Sequence, residues 1–153
     1  MGHADRAAES RLRRIVTIPA PCGTARALAW PAMSDLRRRL GRDGERAAEA
    51  HLRRRGYEVI ERNFRTREGE LDLIGFDGTT IVFCEVKTRR AGSREPWESL
   101  GQAKRRQVRT MAAVWLATQR SRPRAAELRF DAIAVAFDAQ GRLVGLDHLE
   151  GAF

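Results

Sequence analysis

The stretch Gly69-Glu70-Leu71-Asp72-Leu73-Ile74-Gly75-Phe76-Asp77-Gly78-Thr79-Thr80-Ile81-Val82-Phe83-Cys84-Glu85-Val86-Lys87 sets two apolar runs either side of Asp77-Gly78. Asp-Gly between such runs is a strong hairpin signal, so Glu70 to Phe76 and Thr80 to Thr88 are expected as antiparallel strands. Strand side chains alternate between faces, which puts Phe83, Glu85 and Lys87 on one face and Val82, Cys84 and Val86 on the other. With an even-length loop, even positions of the first strand oppose odd positions of the second. Asp72, with Glu70 and Ile74, therefore shares the Glu85/Lys87 face for a two-residue or a four-residue loop alike. The four-residue loop puts Asp72 directly opposite Glu85. Leu71 and Leu73 fall to the opposite, apolar face.

That face carries chemistry. Only two of the 29 basic residues are lysines, Lys87 and Lys104, and a lysine kept among arginines marks a place for a compact, titratable ammonium. Charged groups on the inner face of a small domain are costly without partners, and two carboxylates side by side repel. A divalent cation resolves this, and hard oxygen ligands with open water positions suit Mg²⁺ or Mn²⁺. Such an ion polarises a phosphoryl oxygen and activates water, while Lys87 steadies the attacking hydroxide or the charge developing on phosphorus. The plainer alternative is a structural ion pair of Lys87 with Asp72 or Glu85.

Working outward, Asp35 to Arg55 has helical spacing in Leu36, Leu40, Ala47, Ala48 and Leu52, with Gly56 as its stop. Glu45 on that helix, after Gly44, is a further carboxylate candidate if it faces the sheet; its plainer role is a solvated ion pair. Tyr57 to Arg65 reads as a strand. A second helix is expected from Trp97 to Gln119, with Leu100, Val108, Met111, Ala112 and Trp115 along one face. Lys104 projects from the sheet-facing side of that helix. Arg105, Arg106 and Arg109 beside it, with Lys104 itself and Arg89, are candidates for holding phosphates. Leu128 to Phe137 and Arg142 to Leu149 complete the chain. The order is α-β-β-β-α-β-β, an α/β domain with a mixed sheet flanked by helices, covering residues 34–153.

Residues 1–33 hold three of the five prolines and no sustained period. They are expected to be a disordered leader, or an upstream extension of a chain that starts at Met33. Arg13-Arg14 resembles an export signal, but two prolines and Arg26 interrupt the apolar run behind it. Cys22 and Cys84 make no disulfide framework, which points to a cytoplasmic setting. His3, His51 and His148 have no metal-ligand spacing. A net charge of +9 favours a polyanionic partner, and no apolar stretch is long enough for a membrane helix.

Gly44-Glu45, Asn63-Phe64-Arg65, Gly69 to Ile74, Phe83 to Arg89 and Arg129-Phe130-Asp131 together resemble the YraN-type family of small bacterial proteins, over about Leu36 to Phe153. That family is similar in fold to archaeal Holliday-junction resolvases and to the wider restriction-endonuclease-like nucleases. The resemblance implies a restriction-endonuclease-like core. Asp72, Glu85 and Lys87 take the places of that superfamily's acid, acid-x-lysine signature, and Glu45 that of its helical glutamate. Leu71 stands where the signature's proline would be. Asn63, Arg65, Arg129 and Asp131 match the family pattern without an assigned role. The expected function is a metal-dependent endonuclease on structured or branched DNA, in repair or recombination, with a homodimer as one arrangement. The competing expectation is a non-cleaving nucleic-acid-binding module of the same fold.

Overall fold

The computed structural model describes residues 15–19, 33–93, 97 and 100–153, with side chains described from residue 37 onward. Its elements are β1 (Ile15–Pro19), α1 (Met33–Arg54), β2 (Glu58–Thr66), β3 (Gly69–Phe76), β4 (Thr80–Arg90), α2 (Gln102–Thr118), β5 (Glu127–Phe137) and β6 (Leu143–Leu149). They build one six-stranded sheet in the order β1-β6-β5-β4-β3-β2. Every neighbouring pair is antiparallel except β4 and β5. Those two run parallel from Thr80↔Glu127 to Arg90↔Phe137. A parallel pair needs a crossover connection, and α2 is that crossover. The α/β class and the α-β-β-β-α-β-β order follow from the residues as expected.

α1 covers one face and α2 the other. Ala48 and Leu52 of α1 pack on Leu73, Val82, Cys84, Ile133, Val135 and Leu146. Val108, Met111, Ala112 and Trp115 of α2 pack on Leu71, Ile74, Ile81 and Phe83. The helix stop at Gly56 has φ 87°, a left-handed conformation suited to glycine.

Three expectations need correction. No element was expected before Asp35, yet Ile15–Pro19 forms a strand antiparallel to β6, with Ile15 opposite Leu149. The run Ile15-Val16-Thr17-Ile18 is entirely β-branched, and β-branched residues suit a pleated strand; Pro19 and Pro21 directly after it hid that. The rest of the expected leader, Cys22 included, lies outside the described residues. Secondly, α2 starts at Gln102 rather than Trp97, because Gly101 is extended at ψ 168° and cannot be the interior of a helix.

The third correction concerns Leu71, which packs with Phe83 and Trp115 on the α2 side rather than with Leu73 on the α1 side. β2 meets β3 at Arg62↔Leu73 and Phe64↔Leu71, and Asn63 between them holds φ 51°. A left-handed residue in a strand kinks it. The two-residue alternation breaks there, beside Asp72. No helix among the described residues is long and apolar enough to cross a membrane.

Candidate active site

The β3–β4 turn is the four-residue one. Phe76 pairs with Ile81, and Asp77 Oδ1 closes the loop by accepting the Thr79 and Thr80 N–H groups at 2.9 and 2.7 Å. Leu73 pairs with Cys84 and Ile74 with Phe83, so the next pair in that register is Asp72 with Glu85. There the backbone ladder gives way to a side chain. Asp72 Oδ2 accepts the Val86 N–H at 2.7 Å, which fixes the carboxylate against β4.

Glu85 is buried, with its side chain 4% exposed. Lys87 Nζ lies 2.7 Å from its Oε1, and Lys104 Nζ, reaching down from α2, lies 2.8 Å from its Oε2. Both lysines of the chain thus sit on one carboxylate, one on each oxygen. The Lys104 contact is a charge contact without an aligned hydrogen bond, so Oε2 remains a buried acceptor short of a directed partner.

Burial pushes the Asp72 carboxyl up to about 7, and the charges of Glu85 and Glu45 push the same way; the Val86 N–H and Lys104 pull back. Glu45 therefore stands within electrostatic reach of Asp72, and Asn63 Nδ2 donates to its Oε2 at 3.1 Å. Gly44 explains how α1 comes so close: a Cβ there would collide with the Thr88 side chain of β4. The arginines are differently disposed. Arg105 Nε donates to the Leu100 carbonyl at 3.2 Å, Arg109 lies over the Phe130 ring at 6.0 Å, and Arg89 pairs with Asp147 at 3.2 Å. Arg106 is exposed. Lys104, the remaining phosphate candidate, lies on Glu85.

Among the described residues no three His, Cys, Asp or Glu side chains gather closely enough to cage a metal alone. Asp72 and Glu85 nevertheless fit a hard divalent cation that completes its shell with water or substrate oxygens. They are two repelling carboxylates, one with a raised pKa and the other with an oxygen lacking a directed bond.

The raised Asp72 pKa has a measurable consequence. An acid whose folded pKa lies above its unfolded value of 3.8 contributes stability that is full below 3.8 and lost as pH rises through about 7. Asp72→Asn should therefore be more stable than the native protein at pH 8 in chelator, by at most about 4 kcal/mol. Asparagine keeps an oxygen for the Val86 N–H and drops the charge. The difference should shrink toward zero as melts are repeated down to pH 4. An Asp72→Asn variant less stable than native at pH 8 would contradict this account.

A second polar cluster on the α1 side escaped sequence reasoning. Asp131, fully buried in β5 beside Cys84, accepts Arg129 Nε and Nη2 at 2.9 and 2.8 Å and the Gly151 N–H at 2.9 Å. His148 Nε2 lies 2.9 Å from Asp131 Oδ2, and His148 Nδ1 lies 3.0 Å from His51 Nε2. Arg129 also donates to the Tyr57 hydroxyl at 3.0 Å. This gives Arg129 and Asp131 their place, a pinned junction of β5, β6 and α1. Nothing in the spacing of the histidines showed that they meet.

The pattern defining an uncharacterised protein family, UPF0102, matches residues 44–135, a span that begins at Gly44 and takes in Glu45, Asp72, Glu85, Lys87 and Lys104. The chain is similar to a UPF0102 protein of Geobacter metallireducens, 43% identical over 115 residues, covering 74% of this chain and 91% of the relative. It is 46% identical over 118 residues to one of Frankia casuarinae, covering 74% and 95%. A third, of Moorella thermoacetica, is 41% identical over 122 residues, covering 79% and 100%.

Proposed function

The chain belongs to the UPF0102 family, and we propose that it is a metal-dependent endonuclease that hydrolyses phosphodiesters of structured or branched DNA in repair or recombination. The observation that carries this reading is the meeting of Asp72, Glu85 and Lys87 on paired strands, with Glu45 in electrostatic reach. Asp72 and Glu85 would hold Mg²⁺ or Mn²⁺. Bound there, the ion would supply Lewis acidity toward a phosphoryl oxygen and lower the pKa of water.

The chain's own residues do the rest. Hydrolysis joins a water oxygen to phosphorus as one ester P–O bond breaks, leaving a phosphate monoester and a hydroxyl. Negative charge grows on the phosphoryl oxygens along the way. Lys87, 32% exposed in the second half of β4, can turn its ammonium toward that charge without desolvating from a deep site. Asp72, held against the Val86 N–H, does not need to reorganise. The net charge of +9 favours a polyanion, and the buried free thiol of Cys84 accords with a reducing, cytoplasmic setting.

The double lysine contact on Glu85 favours one other reading, that of a binding module whose carboxylates are structural ion-pair partners. A panel of labelled DNAs separates the two: duplex, flap, fork and four-way junction, incubated with Mn²⁺ or Mg²⁺. Cleavage of a branched form, abolished by EDTA and by Asp72→Asn, is expected. Binding should also weaken steeply as salt rises, each phosphate contact contributing a slope of about −0.9 in log affinity. Salt-sensitive binding with no cleavage of any form would leave the module reading standing.

A further inference from the structure

We propose that Lys104 guards Glu85 in the free protein and exchanges that carboxylate for a substrate phosphate when a divalent cation takes Glu85 Oε2. The inference rests on the nuclease reading and adds a second lysine to its site.

The two lysines on Glu85 are not equivalent. Lys87 leaves β4 two residues from Glu85 and sits on Oε1 at 2.7 Å. Lys104 comes from a different element, α2, and touches Oε2 at 2.8 Å. A stronger cation at Oε2 would displace it, since an ammonium and a divalent ion cannot both occupy the same lone pairs at contact distance. Displacement has somewhere to lead. Lys104 also lines an open pocket of about 630 Å³, with Arg65 and Arg67 at the β2–β3 turn and Gln107 one turn further along α2. Its side chain is 21% exposed, so the ammonium touches the buried carboxylate and also borders this pocket. A flexible four-carbon stem with three donors suits movement between two partners, where a guanidinium would be held by its planar fork. The pocket presents two guanidiniums, an amide and the carboxylates of Glu68 and Glu70, and Arg65 is already paired with Glu70 at 3.1 Å. An arriving ammonium would add a charge not already committed, matched to a phosphodiester.

The exchange predicts effects of opposite sign. Calorimetric titration of Mn²⁺ alone into Lys104→Met should show tighter binding than in the native protein, by about tenfold, because a competing positive charge in contact with the ligand oxygen is gone. Binding of a four-way DNA junction with Mn²⁺ present should move the other way. Measured in a Lys87→Arg background, which keeps a cation beside Glu85 and slows cutting, Lys104→Met should bind more weakly, with the salt slope smaller by about one. Unchanged or weaker Mn²⁺ affinity in Lys104→Met overturns the guarding role, and an unchanged salt slope overturns the phosphate role. Lys104→Gln serves as the second variant. Unfolding of both in thermal melts would make the contact structural and equally overturn the proposal. Absence of Mn²⁺ binding by the native protein would remove the nuclease reading and this inference together. Native cleavage with a Met variant that matches native in both titrations would remove this inference alone.

Discussion

Lys87→Arg should keep the fold and near-native DNA affinity while losing cleavage by about a hundredfold or more, the size of one missing transition-state donor. Arginine preserves the charge beside Glu85. If neutralising that carboxylate were the whole task of Lys87, the variant would be mild. A planar guanidinium with a rigid fork cannot reproduce the point contact of an ammonium. The structure sharpens the test, because Glu85 has a second cation on its other oxygen, Lys104 at 2.8 Å. Lys87→Ala therefore leaves the buried carboxylate paired, and its fold should survive while its cleavage falls as far as that of the arginine variant. Removing both lysines is different in kind. A buried carboxylate stripped of every partner typically costs about 3–5 kcal/mol, so Lys87→Ala with Lys104→Ala should melt well below either single variant. Full cleavage by Lys87→Ala, on a substrate the native protein cuts, would end the catalytic assignment.

What the residues made legible, and what they hid, follows from how local each signal is. The β3–β4 hairpin is written in the consecutive residues Gly69 to Lys87, and the two-residue period with an Asp-Gly turn is enough to align Asp72 with Glu85. The lysine count singled out Lys87 and, less directly, Lys104. Helical spacing put Lys104 on the sheet-facing side of α2, but no spacing says which strand residue lies beneath a helix, so its contact with Glu85 came only with the fold. Glu45 is similar. Its approach to Asp72 depends on Gly44 nestling against Thr88, a contact across 44 positions of sequence.

The misreadings have the same root. Leu71 was placed by strict alternation, which assumes a regular strand; Leu71 and Leu73 instead pack on opposite sides of the sheet, next to the point where Asn63 of the neighbouring strand holds φ 51°. β1 was lost because five residues ending on a proline carry too short a period, and its partner β6 lies at the far end of the chain. The Asp131 cluster was invisible because it joins positions 51, 57, 129, 131, 148 and 151, none at helical or strand spacing from the next element's contribution. Arg129 and Asp131 stood out only as a shared motif without a role.

That cluster carries the largest expected effect on stability. Asp131→Ala should destabilise the protein by about 3–5 kcal/mol, the range for breaking a buried charge pair from one side, which is a large part of the usual stability of a domain. The aspartate is fully buried, and its loss strands three donors at once: the Arg129 guanidinium, the His148 ring and the Gly151 N–H. Asp131→Asn should be milder, since the amide keeps one acceptor oxygen, and it isolates the charge in a pH series. Burial pushes the Asp131 carboxyl up, but the hydrogen bonds from His148 and Arg129 outweigh it and hold it below the ordinary 3.8. A depressed acid contributes stability that is present above 3.8 and lost as pH falls below it. His51 has its own window. Burial, then the charges of His148, Arg55 and Arg54, lower it from 6.5 to about 4, so its contribution is present above 6.5 and is lost as pH falls toward 4. Urea melts should show Asp131→Asn keeping a loss between 6.5 and 4 while flattening below it. A variant that keeps native stability at pH 7 yet loses cleavage would move Asp131 out of the scaffold and into the chemistry.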